Sequence, residues 1–190
     1  PAVLGAMADG ILESSLKVYQ LLDEILQWSS NQLGAIKVEL KATTLKPLVI
    51  ETLALMKDSF TFKKLNITCD INEDIMALAD VNLTKTIMRN LLTNAIKYTP
   101  EQGSIHIETL SNNDEVQLVI TDTGKGIPAE LKDQLFGDAV VSQRGTQGEL
   151  GHGLGLSLCG DFARKQQGYL SLDKDYKDGA KLILNFPSAS

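Results

Sequence analysis

The stretch VNLTKTIMRNLLTNAIKYTP, residues 81–100, decides how the rest of the chain is read. At about 100° per residue, Leu83, Ile87, Met88, Leu91, Leu92 and Ala95 fall on one broad apolar face, which predicts an amphipathic helix over 81–98. Thr99-Pro100 ends it, because proline cannot continue the helical hydrogen-bond ladder. Asn94 projects between Leu83 and Ile87, Asn90 lies at the edge of the stripe, and Lys97 lies just beyond it. An asparagine turned toward a buried face must find hydrogen-bond partners or cost stability. Two readings stay open at this point. The amide is satisfied by a neighbouring backbone group, or its oxygen is offered to a hard cation with Lys97 nearby to meet phosphate.

Upstream, ADGILESSLKVYQLLDEILQWSSNQLG (8–34) reads as one long helix. Leu12, Tyr19, Leu26 and Leu33 recur at heptad spacing, flanked by Ile11, Val18 and Ile25, so the helix needs a partner such as a bundle or a dimer. KVELKATTLKP (37–47) reads as a polar connector, and LVIETLALMKDSF (48–60) as a second helix. LNITCDI and IMALAD read as short strands around the turn NED. Downstream of the central helix, GSIHIETL and EVQLVITD are strands joined by SNND. PAELKDQLF is a short helix after Pro128, and residues 137–152 have no sustained period and read as a mobile loop. LGLSLCGDFARKQQ is helical, and YLSLD and AKLILNF are closing strands around the turn KDG. Helices alternating with hairpin-forming strands predict an α+β fold with one mixed sheet.

Composition removes several functions. A net charge of −6 gives no footprint for nucleic acid or an anionic membrane surface. No apolar run reaches the ~20 residues that cross a bilayer, and no basic leader with an apolar core marks a signal peptide. Cys69 and Cys159 lack metal or redox spacing and read as two buried, reduced thiols of a cytoplasmic chain. A start at PAVLGAMADG, without Met, suggests part of a longer protein.

Two further motifs carry chemistry. In VITDTGKGIP a strand runs into Asp122, and Gly124 and Gly126 let the backbone turn and approach a ligand. A carboxylate there can accept from an exocyclic amine such as adenine's, although an Asp-Gly turn alone has the same letters. In GHGLGLSLC, Gly151, Gly153 and Gly155 abut a helix whose positive end suits phosphate. The chain has no GxxxxGK[ST], and Leu156 stands where a dinucleotide fingerprint needs its third glycine.

In this order and spacing, NLLTNAIKYTP, DTGKGIP, a short helix ending in Leu-Phe, a loop and GxGLGL resemble the nucleotide-binding domain of sensor histidine kinases, of the GHKL ATPase superfamily, over residues 45–187. The leading helix is similar to the second helix of their dimerisation and phosphotransfer bundle. The resemblance implies a Bergerat-type α/β sandwich, with residues 1–40 as a partial bundle helix and 41–190 as the catalytic ATP-binding domain. It implies Mg²⁺ on Asn94, Asn90 lining the same site, Lys97 and Tyr98 reaching phosphate and nucleotide, and Asp122 reading adenine. Gly124 and Gly126 would give close backbone approach, Ile127 would be a further ATP-binding residue, and Phe136 matches the F box. Arg144, within the segment that matches the ATP lid, would touch the γ-phosphate, and Gly153, Leu154 and Gly155 match the phosphate loop. His152 replaces the small hydroxyl residue usual before that glycine, which implies weakened or altered nucleotide binding rather than its loss.

The hydrolases of this superfamily carry a glutamate four residues before the metal-binding asparagine. Asn90 occupies that position and cannot serve as a base. Transfer to an acceptor already nucleophilic, such as imidazole, then rests on positioning and charge neutralisation by Mg²⁺, Lys97 and loop amides. His106 and His152 lie in a strand and a loop, so the acceptor histidine is expected on a bundle helix before Pro1. The implied cofactors are ATP and Mg²⁺. The implied partners are a response-regulator receiver domain and the phosphotransfer bundle of a homodimer, with no nucleic acid and no direct membrane contact. The location is cytoplasmic, either alone or below a membrane-anchored sensor. The competing expectation is a degenerate kinase-like scaffold acting through the leading helix; a serine kinase of the anti-sigma type ranks last, having no need of that helix.

Overall fold

The computed structural model describes residues 36–112, 114–136, 146 and 155–189, preceded by Leu22, Leu26 and Ser29. The chain divides into two compact units, 1–37 and 38–190. In the first, Leu22, Leu26 and Ser29 are helical and both leucines are exposed. The remainder of the predicted 8–34 helix, and the predicted loop over 137–152 apart from Thr146, lie outside the described residues.

The second unit is built on one helix, α3 (Val81–Tyr98). Asp80 caps it: Oδ1 accepts from the backbone N–H groups of Asn82 at 2.9 Å and Leu83 at 3.0 Å, a cap that contributes about 1 kcal/mol. All six residues of the predicted stripe are buried. They pack against α1 (Leu45–Leu55), α4 (Gly155–Lys165) and the sheet strand β5 (Glu115–Asp122).

The sheet is five-stranded and mixed, in the order β2-β4-β5-β7-β6. β2 (Asn66–Asp70) runs parallel to β4 (Ser104–Ser111), and the other neighbours are antiparallel. β6 is Tyr169–Leu172 and β7 is Ala180–Pro187. Along β5, Val116, Leu118, Ile120 and Asp122 alternate toward the buried side. Asp122, at the strand's end, pairs in register with Ile105 on one side and Ala180 on the other. Two further strands, β1 (Lys41–Thr44) and β3 (Met76–Ala79), form an antiparallel ladder of their own.

Four expectations change. The polar connector holds β1, and α1 begins at Leu45; Pro47 fits its first turn, where an N–H has no helical acceptor. The second helix breaks at Met56 into α1 and a short α2 (Lys57–Phe62). PAELKDQLF forms only a 3₁₀ turn over Ala129–Leu131, with no side-chain cap and too few residues to sustain a helix. Cys69 is exposed rather than buried, because β2 is a sheet edge; Cys159 is buried in α4, and no disulfide joins the two. The two strands flanking NED form as expected, and each lies in a different sheet.

Candidate nucleotide site

Asp122 is 5% exposed. Its Oδ1 accepts the backbone N–H groups of Gly124 at 2.8 Å and Ala180 at 3.2 Å. Both bonds fall on one oxygen, so the carboxylate is held in orientation with Oδ2 left for an incoming N–H donor. Burial pushes the carboxyl pKa above its ordinary value, and the two backbone bonds pull the other way.

Asp122 is tied to α3 through the turn that follows it. A Cβ on Gly124 would lie 2.6 Å from the Tyr98 carbonyl oxygen and 2.7 Å from Asp122 Oδ1, so this approach admits no side chain. The Lys125 N–H donates to the same Tyr98 carbonyl at 3.3 Å. Gly126 follows at φ +69°, and Ile127 is half-buried. The ammonium groups of Lys97 and Lys125 sit 5.1 and 4.9 Å from the centre of the Tyr98 ring. Two positive charges thus lie within cation–π distance of one aromatic ring.

About two turns back along α3, Asn90 is half-buried and its Nδ2 donates to the Thr86 carbonyl at 3.0 Å. That bond fixes which end of the amide is oxygen. Oδ1 lies 3.0 Å from where a Cβ on Gly155 would stand, which brings the helix to the start of α4. Asn94, one turn on, is also half-buried rather than enclosed. Phe136 backs α4: its carbonyl oxygen is 3.1 Å from the Cβ position of Gly160.

Asn90, Asn94, Lys97, Tyr98, Asp122, Gly124, Gly126, Ile127, Phe136 and Gly155 are therefore strung along α3 and the loops that meet it. Arg144, His152, Gly153 and Leu154 lie outside the described residues. His106 is on β4 as predicted, with Nδ1 2.8 Å from Thr68 Oγ1. Among the described residues no group of three or more His, Cys, Asp or Glu converges, and no helix is long and apolar enough to cross a membrane.

Three contributors escaped sequence reasoning. Lys125 stands at the variable position of DTGKG, where the motif asks for no particular residue and its charge is the only signal. Gly179 read as an ordinary turn residue, yet at φ +152° its Cβ would stand 1.9 Å from the Asp122 carbonyl oxygen. The third is Tyr176: burial pushes its pKa up, and the charges of Asp178 and Asp122 add to this.

The chain belongs to the histidine kinase-, DNA gyrase B- and HSP90-like ATPase family, whose model matches residues 79–190. It is similar to the adaptive-response sensory kinase SasA of Gloeothece citriformis, at 37% identity over 170 residues that cover 88% of this chain and 43% of that protein. The chain thus spans less than half the length of this curated relative. Among solved structures, the catalytic domain of histidine kinase ThkA aligns with a TM-score of 0.69 at 28% identity, covering 79% of this chain and 96% of that one. Histidine kinase ThkA in complex with response regulator protein TrrA aligns with a TM-score of 0.74 at 23% identity, covering 94% of this chain and 49% of that one. The mixed sheet with its helices is the fold these catalytic domains share.

Proposed function

We propose that this chain is the ATP-binding catalytic part of a sensor histidine kinase. In this reading it binds Mg-ATP and transfers the γ-phosphoryl group to a histidine on a bundle helix outside these residues. The observation that carries the reading is Asp122, a buried carboxylate with one oxygen pinned by two backbone N–H groups and the other available to a donor. An exocyclic amine at Oδ2 meets a charged acceptor, whereas a carbonyl there meets repulsion. Base discrimination follows from that one oxygen.

Lys97 and Lys125 supply positive charge at the end of α3, where a phosphate chain needs it. The Asn90 and Asn94 amide oxygens are hard neutral donors. They suit a Mg²⁺ that takes most of its ligands from phosphates and water, with Asn94 as the direct ligand. When bound, the ion neutralises charge on the transferring group. Arg144, His152, Gly153, Leu154 and Gly155 are assigned to the phosphates on the strength of their motif. The Asn90 amide cannot take up a proton, and its Nδ2 is committed to Thr86, so hydrolysis lacks a base at that position. Catalysis reduces to positioning and charge neutralisation, which suits an imidazole acceptor.

Residues 1–40 are assigned to the bundle and 41–190 to the catalytic domain, in a cytoplasmic homodimer that passes phosphate to a response-regulator receiver domain. The likeness to a kinase whose solved structure holds a response regulator supports that partner. The test is calorimetric titration with a non-hydrolysable ATP analogue, with Mg²⁺ and with a chelator, for wild type and Asn94→Ala. Binding that Mg²⁺ strengthens in wild type but not in Asn94→Ala is the expected result. No binding at millimolar ligand would overturn the reading.

A further inference from the structure

Lys63 closes α2 and is 3% exposed, yet it belongs to none of the nucleotide motifs. A lysine enclosed to that degree needs partners for its charge. Its ammonium donates to the carbonyls of Ile96 at 2.9 Å, Lys97 at 3.0 Å and Thr99 at 3.4 Å, and to Thr146 Oγ1 at 2.8 Å. Those carbonyls lie at the C-terminal end of α3, beyond the reach of the helix's own N–H ladder, where the helix dipole favours a cation. The Lys63 carbonyl in turn accepts from the Gln102 N–H at 3.0 Å, so both ends of the residue grip the connection from α3 to β4.

The gripped turn carries Lys97 and Tyr98, and the Tyr98 carbonyl is what Gly124 and Lys125 close upon. Thr146 meets the same turn: its N–H donates to the Lys97 carbonyl at 3.1 Å, and its hydroxyl to that carbonyl at 3.0 Å. One carbonyl, that of Lys97, therefore receives Lys63 and two groups of Thr146. A cation in the interior joins three separate pieces of the candidate site.

We propose that Lys63 is a positioning residue for nucleotide. Through the last turn of α3 it sets Lys97, Tyr98 and the loop after Asp122 for the ligand, with Thr146 as the outer half of the same clamp. The inference rests on the nucleotide-binding reading above and adds a residue outside its motifs.

The test measures the dissociation constant of a fluorescent ATP analogue with Mg²⁺ for wild type, Lys63→Met, Lys63→Arg and Thr146→Val. All are measured well below their unfolding temperatures, with folded content checked by circular dichroism. Lys63→Met is expected to weaken binding about tenfold, in the range for coupling through a packed network. Lys63→Arg, which restores the cation, is expected to return to within about threefold of wild type. Folded Lys63→Met that binds like wild type overturns the inference and leaves the nucleotide reading standing. A wild type that fails to bind removes both. Should Lys63→Met not fold, Thr146→Val decides, since Thr146 is exposed: about threefold weaker binding supports the clamp, and unchanged binding refutes it.

Discussion

Replacing Asp122 by asparagine separates recognition from folding. Asparagine keeps an oxygen where Oδ1 accepts Gly124 and Ala180, so those bonds survive and the NH₂ group takes the place of Oδ2. An adenine amine arriving there meets a donor instead of an acceptor. The charged hydrogen bond lost is about 1.5–3 kcal/mol, and leaving a buried donor unpaired adds about 1–3 kcal/mol. At 1.4 kcal/mol per tenfold, affinity for ATP falls by about two to four orders of magnitude. Inosine triphosphate carries a carbonyl oxygen at that position, so the variant should lose much less affinity for it, and preference between the two nucleotides should narrow or reverse. Stability moves the other way. Burial raises the Asp122 pKa in the folded state, so its stability contribution is present below the unfolded value and lost as pH rises through the folded one. Asparagine removes that penalty, leaving the variant at least as stable as wild type at neutral pH, with the gap closing on acidification. Calorimetry with both nucleotides and thermal unfolding across pH check each arm. A variant that binds ATP within threefold of wild type, or loses both nucleotides equally, would refute the assignment of Oδ2 as the base-reading atom.

In wild type, ATP affinity is expected to fall as pH drops through the raised Asp122 pKa, because the protonated carboxyl offers a donor; titrations at descending pH measure it. Gly179→Ala drives a Cβ to 1.9 Å from the Asp122 carbonyl oxygen, and should lower the unfolding temperature through backbone displacement and about 1–3 kcal/mol of strain. Gly155→Ala places a Cβ 3.0 Å from Asn90 Oδ1, so it should weaken Mg-nucleotide binding while the unfolding midpoint shifts little; equilibrium binding and denaturation distinguish the two. Leu91→Ala, at a position with 0% exposure, should cost about 2–5 kcal/mol of stability in denaturant titration.

The sequence exposes what depends on near neighbours. The α3 stripe is legible because helix period and burial agree at every one of its apolar positions, and Asp80 stands where a cap belongs. β4 and β5 are legible for the same reason, with a short turn between two alternating runs. Pairing is not legible in this way. β2 and β3 flank a turn signal, yet each finds its partner elsewhere, because parallel pairing of β2 with β4 across an intervening helix leaves no local mark.

The site divides along the same line. Asn90, Asp122 and Gly124 could be named because their types recur at motif spacing, whereas Lys63 and Gly179 acquire roles only when distant backbone arrives. For Lys63 the arriving groups are the last carbonyls of α3; for Gly179 it is the carbonyl of Asp122 itself. Neither demand falls on the residue's own neighbours in the chain, so each looks interchangeable with other surface letters. The physical test of that difference is asymmetric substitution. A motif residue such as Asp122 should lose ligand and keep the fold, while a residue placed by long-range approach such as Gly179 should lose the fold first and the ligand with it.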